Sequence, residues 1–76
     1  MEKFAAFVIG SLVSKPDKVQ IEIRTRGNEV LVMSSVDPAD VARVIGKSGQ
    51  TIKSIKALLR AYGTKHKQII TFEFIN

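Results

Sequence analysis

The chain has 76 residues, enough for one domain (1–76), and no cysteine, so disulfide staples, a thiolate zinc site and a thiol nucleophile are excluded. Twelve Lys+Arg against seven Asp+Glu leave a net charge of +5, while 45% hydrophobic and 25% charged residues exclude wholesale disorder. The longest apolar stretch, Phe4 to Val13, is broken by Gly10 and Ser11 and falls far short of the ~20 residues that span a bilayer.

Residues 2–14 read as a helix. Phe4, Val8 and Leu12 recur every four residues, and Ala5, Ile9 and Val13 fill the adjacent row. Met1-Glu2-Lys3 carries no net charge and no small-residue cleavage pattern follows, so a packed amphipathic helix is expected rather than a secretion signal. The chain is accordingly read as soluble and cytoplasmic. Pro16 stops the helix, and Lys15-Pro16-Asp17-Lys18 has turn chemistry. In Val19-Gln20-Ile21-Glu22-Ile23-Arg24 the strict alternation predicts a strand with Val19, Ile21 and Ile23 inward. A Gly27-Asn28 turn and a returning strand over Val30–Val36 complete a hairpin.

Asp37-Pro38-Ala39-Asp40 is a helix start, with Asp37 at the N-cap, Pro38 at the first helical position and Asp40 adding charge to the first turn. Gly46 cuts this helix short. A further helix is predicted over 50–62, with Ile52, Ile55, Leu59 and Tyr62 on one face and Gly63 as its end. Ile69 to Ile75 reads as a last strand with Phe72 and Phe74 on one side. The order α-β-β-α-α-β mixes helices with one small sheet, which is an α+β class.

Charge is concentrated in one part of the chain. Between Val41 and Phe72 stand seven basic residues (Arg43, Lys47, Lys53, Lys56, Arg60, Lys65, Lys67) and no acidic one. A solvated face usually mixes signs. Lys53, Lys56 and Arg60, at i, i+3 and i+7, share one stripe of the helix. This is the electrostatic footprint of a phosphate-backbone binder.

Within that span lies Val44-Ile45-Gly46-Lys47-Ser48-Gly49-Gln50-Thr51-Ile52. Two glycines bracket two polar residues between two helices. Glycine permits a tight turn and close approach of another backbone. A loop that opens a helix aims amides outward at a positive dipole end, and Lys47 adds a mobile charge. A Walker A motif is excluded, because it needs a glycine where Val41 stands, and the dinucleotide pattern G-x-G-x-x-G is absent. A helix corner that needs glycine for geometry alone is the competing explanation; the flanking Val44, Ile45 and Ile52 and the unbroken basic span favour a phosphate cradle.

The run VIGKSGQTIKSI resembles the core of a K-homology (KH) domain, in which a G-x-x-G loop joins two helices and clamps about four nucleotides. The element order resembles the type II KH arrangement, a three-stranded sheet with helices on one face. The short length, SKPDKV and VDPADVARVIGKSGQTI resemble the small bacterial single-KH proteins of the KhpA type, over essentially the whole chain. The resemblance implies RNA binding without catalysis, in RNA chaperoning or post-transcriptional regulation, on single-stranded RNA or single-stranded DNA. Gly46, Lys47, Ser48 and Gly49 would contact the backbone, and Ile45 and Ile52 would floor an apolar groove for bases. Lys53, Lys56 and Arg60 would line one side, and Lys65 and Lys67, beside His66 in the loop before the last strand, would form the opposite rim.

No constellation for catalysis is present: the one His stands in a basic stretch and the carboxylates are scattered. With one His and no Cys, metal binding is not expected, and no cofactor motif is found. The competing non-catalytic role is an interaction module. Leu58 and Ala61 lie on the side of their helix away from the basic stripe. The resemblance implies dimerisation through them, with a second copy or with a larger KH-containing RNA-binding protein.

Overall fold

Apolar periodicity decides the architecture. The computed structural model describes residues 1–76 and has α1 at Glu2–Gly10, β1 at Gln20–Arg26, β2 at Glu29–Ser35, α2 at Val41–Ile45, α3 at Gln50–Lys65 and β3 at Ile69–Phe74. Single 3-10 turns occupy Pro16–Lys18, Pro38–Asp40 and Lys47–Gly49. The α-β-β-α-α-β order is the one expected, and no helix is long and apolar enough to cross a membrane.

The sheet order is β1-β2-β3. β1 pairs antiparallel with β2, placing Ile23 opposite Val32. β3 pairs parallel with β2, placing Phe72 opposite Val32. Alternation turns Val30, Val32, Ile70 and Phe72 to one face, where Ala5 and Ile9 of α1, Val44 of α2 and Ile55 and Leu59 of α3 close the core. Burying each of the Val, Leu, Ile and Phe side chains among these is worth about 1.5–3 kcal/mol of transfer free energy. The opposite face of the sheet carries the charged and polar residues of β1 and β3.

The hairpin turns at Gly27, whose φ of +60° suits the first position of a two-residue loop. Asp37 caps the following 3-10 turn, its side chain accepting from the Ala39 amide at 2.9 Å, with Pro38 next. The Asn76 side chain accepts from the Val36 amide at 3.2 Å and donates to the Val36 carbonyl at 2.8 Å, pinning the end of β2 just before that cap.

Several boundaries differ from the sequence reading. α1 ends at Gly10 rather than residue 14: the Ser11 hydroxyl bonds back to the Val8 carbonyl at 2.7 Å and the Leu12 amide to Ile9 at 3.0 Å, so the chain turns. β1 and β2 are shifted by a residue or two, with Val19 ahead of the strand. Gly63 does not end α3. It is buried inside the helix, where a Cβ would meet the Gln68 carbonyl oxygen at 2.9 Å and the Ile70 side chain. Glycine is there because β3 passes close to the helix. The helix ends later in a Schellman closure: the Gln68 amide bonds to Gly63 O at 2.7 Å and the Lys67 amide to Thr64 O at 3.2 Å, with Lys67 left-handed at φ +58°.

Candidate nucleic-acid interface

The loop between α2 and α3 is built from unusual backbone. Gly46 has φ 75° and ψ 174°, Ser48 φ 56° and ψ 28°, and Gly49 φ 73° and ψ 16°. Three of four consecutive residues thus lie at positive φ, which only glycine adopts freely. A residue in the right-handed region followed by one in the left-handed region turns successive amides into one concavity, an anion-binding nest. Ser48, left-handed after a Lys47 that is not at positive φ, suits the second member of such a pair. The loop's own hydrogen bonds run from the Gly46 amide to Ala42 O at 2.9 Å and from the Gly49 amide to Gly46 O at 3.2 Å; the Lys47 and Ser48 amides are not used in them. Both side chains are exposed.

The two glycines play different parts. At Gly46 a Cβ would fall 2.8 Å from the Thr51 amide nitrogen and 2.6 Å from the Thr51 Cβ, so α3 itself forbids a side chain. At Gly49 a Cβ would meet nothing within 4 Å. The space over Gly49 is open, and α3 begins directly beneath it with its positive dipole end.

Lys53, Lys56 and Arg60 are exposed along α3, as expected from their spacing. The structure's three ion pairs join Lys15 to Asp37, Arg24 to Glu22 and Arg43 to Asp40. No carboxylate therefore neutralises Lys47, Lys53, Lys56 or Arg60. Like charges three and four residues apart cost the helix about 0.2–0.5 kcal/mol per pair, and nothing within the chain offsets that.

A shallow groove lies beside this stripe. It has a volume of about 150 Å3 and is lined by Lys56 and Arg60 from α3 and by Ile70, Thr71 and Phe72 from β3. Ile45 is 38% exposed at the end of α2, and Ile52 is half-buried against the core; neither lines this groove. β3 is an edge strand, so its outer backbone groups face the groove without a partner strand. Sequence reasoning missed β3 as a wall because its parallel pairing with β2 is long-range.

His66 and Lys67 lie in the turn before β3, as expected, and only Lys65 falls inside the helix. Lys65 is the last residue of α3, His66 its C-cap and Lys67 the left-handed residue after it. They stand at the end of α3 remote from Gly49, about 24 Å away for a helix of 16 residues. They extend the charged track rather than face it across the loop.

Asp40 does more than add charge to a first turn. It is fully buried. Its carboxylate accepts from the Ser14 amide at 3.0 Å, the Ser14 hydroxyl at 2.8 Å and the Lys15 amide at 3.1 Å, and pairs with Arg43 Nε at 3.3 Å. The Ser14 amide is the strongest influence holding its pKa below the usual carboxylate value, against burial, which acts the other way. This carboxylate ties the α1–β1 connection to the base of α2 and so braces the helix from which the glycine loop springs. It also occupies Arg43, leaving that cation out of the exposed track.

On the other side of α3, Leu58 (47% exposed) joins Phe7, Val8 and Leu12 in an apolar groove of about 300 Å3 between α1 and α3. Ala61 is exposed one turn further along and is not in that lining.

Comparison with known proteins agrees with this fold. The family model described as KhpA/KhpB, KH domain, matches residues 2–73. The chain is 29% identical over 75 residues to the RNA-binding protein KhpA of Chlamydia trachomatis, covering 99% of this chain and 96% of that one. It is 33% identical over 75 residues to the same-named protein of Listeria monocytogenes, covering 99% of each. Among solved structures, an Aquifex aeolicus Era variant bound to GDP and AlF4− matches with a TM-score of 0.64 at 15% identity, covering 96% of this chain and 28% of that one. Era in complex with MgGDPNP and a segment of 16S ribosomal RNA matches with a TM-score of 0.57 at 17% identity, over the same shares. At these identities the Era structures share the fold.

Proposed function

The chain belongs to the KhpA/KhpB KH-domain family, a family of RNA-binding proteins rather than enzymes, and from that premise we propose that it holds a short single strand of RNA in the Gly46–Gly49 nest. The observation that carries this reading is the loop itself: amides of Lys47 and Ser48 outside the local hydrogen bonds, open space over Gly49, and a cation beside them. A phosphate seated there is held by backbone N–H groups, the α3 dipole and Lys47. The strand then follows Lys53, Lys56 and Arg60 along α3, with its bases towards the edge of β3. Phosphate contacts position the strand and carry no sequence information, so sequence preference is modest. The role is non-catalytic and cytoplasmic, in RNA chaperoning or regulation of transcripts, and single-stranded DNA is an alternative ligand for the same nest.

Contact with about three phosphates gives a slope of log affinity against log salt near −2 for a single strand. Fluorescence anisotropy of a labelled unstructured RNA across a salt series reads this slope. A slope near zero removes the phosphate nest from the account.

The apolar groove supports a second role as an adaptor. Phe7 is 74% exposed beside Leu58, and such a surface on so small a domain suits a partner: a second copy, or a larger KH-containing RNA-binding protein. The contact runs through Leu58, with Ala61 at its margin. Sedimentation of Leu58→Glu against the parent over a concentration series tests it; identical behaviour at every concentration refutes self-association through this face.

A further inference from the structure

Three aromatic rings form a ladder where α1 meets the far end of α3. Phe4 and Tyr62 stack with centroids 4.5 Å apart and planes 14° from parallel. His66 lies on Tyr62 with centroids 4.4 Å apart at 35°. Tyr62 is half-buried between its two neighbours, whereas His66 is the exposed last rung. None of the three ion pairs reaches it.

The Phe4–Tyr62 pair by itself joins α1 to α3, so the third ring is not needed for that contact. It is nevertheless held firmly. The His66 amide bonds to Gly63 O at 3.0 Å and Tyr62 O at 3.2 Å, and the Lys67 and Gln68 amides close the turn behind it. With its backbone fixed in this way and one face of the ring already on Tyr62, the side chain loses little freedom when something stacks on the other face. Histidine is among the side chains on which unstacked RNA bases rest. The C-terminal end of a helix repels phosphate by its dipole, but Lys65 and Lys67 flank the ring and supply positive charge at that point. Both are exposed and free of carboxylate partners.

We propose that His66 is a base-stacking platform at the far end of the interface, which takes one nucleobase of a strand continuing past the glycine loop while Lys65 and Lys67 hold the adjoining phosphates. The proposal rests on the RNA-binding reading above and extends it. The platform is about 24 Å from the loop along the 16 residues of α3, out of reach of the roughly four nucleotides that the loop clamps. Single-strand sites of up to about 16 nucleotides are ordinary. His66 therefore acts only on longer strands.

The test compares His66→Ala and His66→Phe with the parent on labelled unstructured RNAs of about 4 and about 12 nucleotides, with thermal unfolding of each variant alongside. His66→Ala is expected to bind the longer RNA at least about 5-fold more weakly, with the salt slope unchanged, and to bind the shorter RNA as the parent does. His66→Phe keeps a ring plane and restores the longer-RNA affinity. Lys65→Gln with Lys67→Gln lowers the salt slope instead. An equal loss on both lengths, no loss on either, or a phenylalanine variant as weak as alanine overturns the platform while leaving the glycine loop in place. A folded parent that binds neither RNA overturns both readings.

Discussion

Exchanging each loop glycine for alanine separates what the fold needs from what the ligand needs. Gly46 sits at φ 75° and ψ 174°, a region that residues with side chains essentially do not enter. Its added methyl would press on Thr51, with the backbone amide nitrogen at 2.8 Å. Thr51 belongs to the first turn of α3, so relief requires moving the helix. Backbone strain of about 1–3 kcal/mol and overpacking of about 1–3 kcal/mol combine to about 2–6 kcal/mol. That is a large share of the roughly 4–11 kcal/mol expected for a chain this long. At about 6 °C per kcal/mol, Gly46→Ala lowers Tm by more than about 12 °C. Gly49→Ala meets no neighbouring atom and pays only for a left-handed residue, about 1–2 kcal/mol or about 6–12 °C. Its methyl, however, fills the space over the loop amides, so RNA affinity falls more than about 10-fold, equivalent to about 1.4 kcal/mol. Gly49→Asn, which tolerates the left-handed region, recovers stability but not binding. Thermal unfolding and RNA anisotropy, the latter well below every Tm, measure both effects. A Gly49→Ala protein that binds like the parent, or a Gly46→Ala protein that melts no lower than Gly49→Ala, refutes the reasoning.

Gly63→Ala would raise stability by about 1 kcal/mol at an open helical site, but here the Cβ meets the Gln68 carbonyl and Ile70. A net loss of up to about 2 kcal/mol is expected, and a rise in Tm would contradict the close approach of α3 and β3. Ser34 is fully buried in β2 and its hydroxyl has no hydrogen-bond partner. Ser34→Ala removes that unsatisfied group and raises stability by about 1 kcal/mol in chemical denaturation; a lower midpoint would show that the hydroxyl is satisfied. Asp40 has a lowered pKa, so its ionised form stabilises the fold above its ordinary value of 3.8, and this contribution disappears as pH falls through the lowered one. Asp40→Asn is accordingly less stable than the parent at neutral pH, and the gap narrows below about pH 4. A gap in Tm that stays constant down to about pH 2 would refute the clasp.

Much of this molecule is legible in its sequence because the signals are local. Alternation at Ile21 and Ile23, the Asp37-Pro38 cap and the Gly46–Gly49 spacing each act within a few residues, and each appears where expected. What was hidden depends on contacts across the chain. Asp40 looks like a solvated first-turn acid until Ser14, 26 residues earlier, is folded onto it. Gly63 carries two meanings, helix end or close approach, and only the position of Ile70 decides between them. The groove wall at Ile70, Thr71 and Phe72 exists because β3 pairs parallel to β2, and no alternation pattern distinguishes a parallel edge from an antiparallel one. The sequence pattern overextends α1 because Leu12 keeps the apolar period after Gly10 and Ser11 have already turned the chain. Leu12 is instead used beside Leu58 in the α1–α3 groove.

The central claim is that the Gly46–Gly49 nest holds an RNA phosphate. Lys47→Asp combined with Ser48→Asp tests it most directly, by anisotropy with a short labelled single-stranded RNA at two salt concentrations. Both positions are exposed, and aspartate is among the few residues that accept the left-handed backbone of Ser48, so the fold is kept. The account predicts binding by the parent that weakens with salt, and none by the folded double variant. Equal binding by the two proteins would place the RNA elsewhere on the surface and contradict the account.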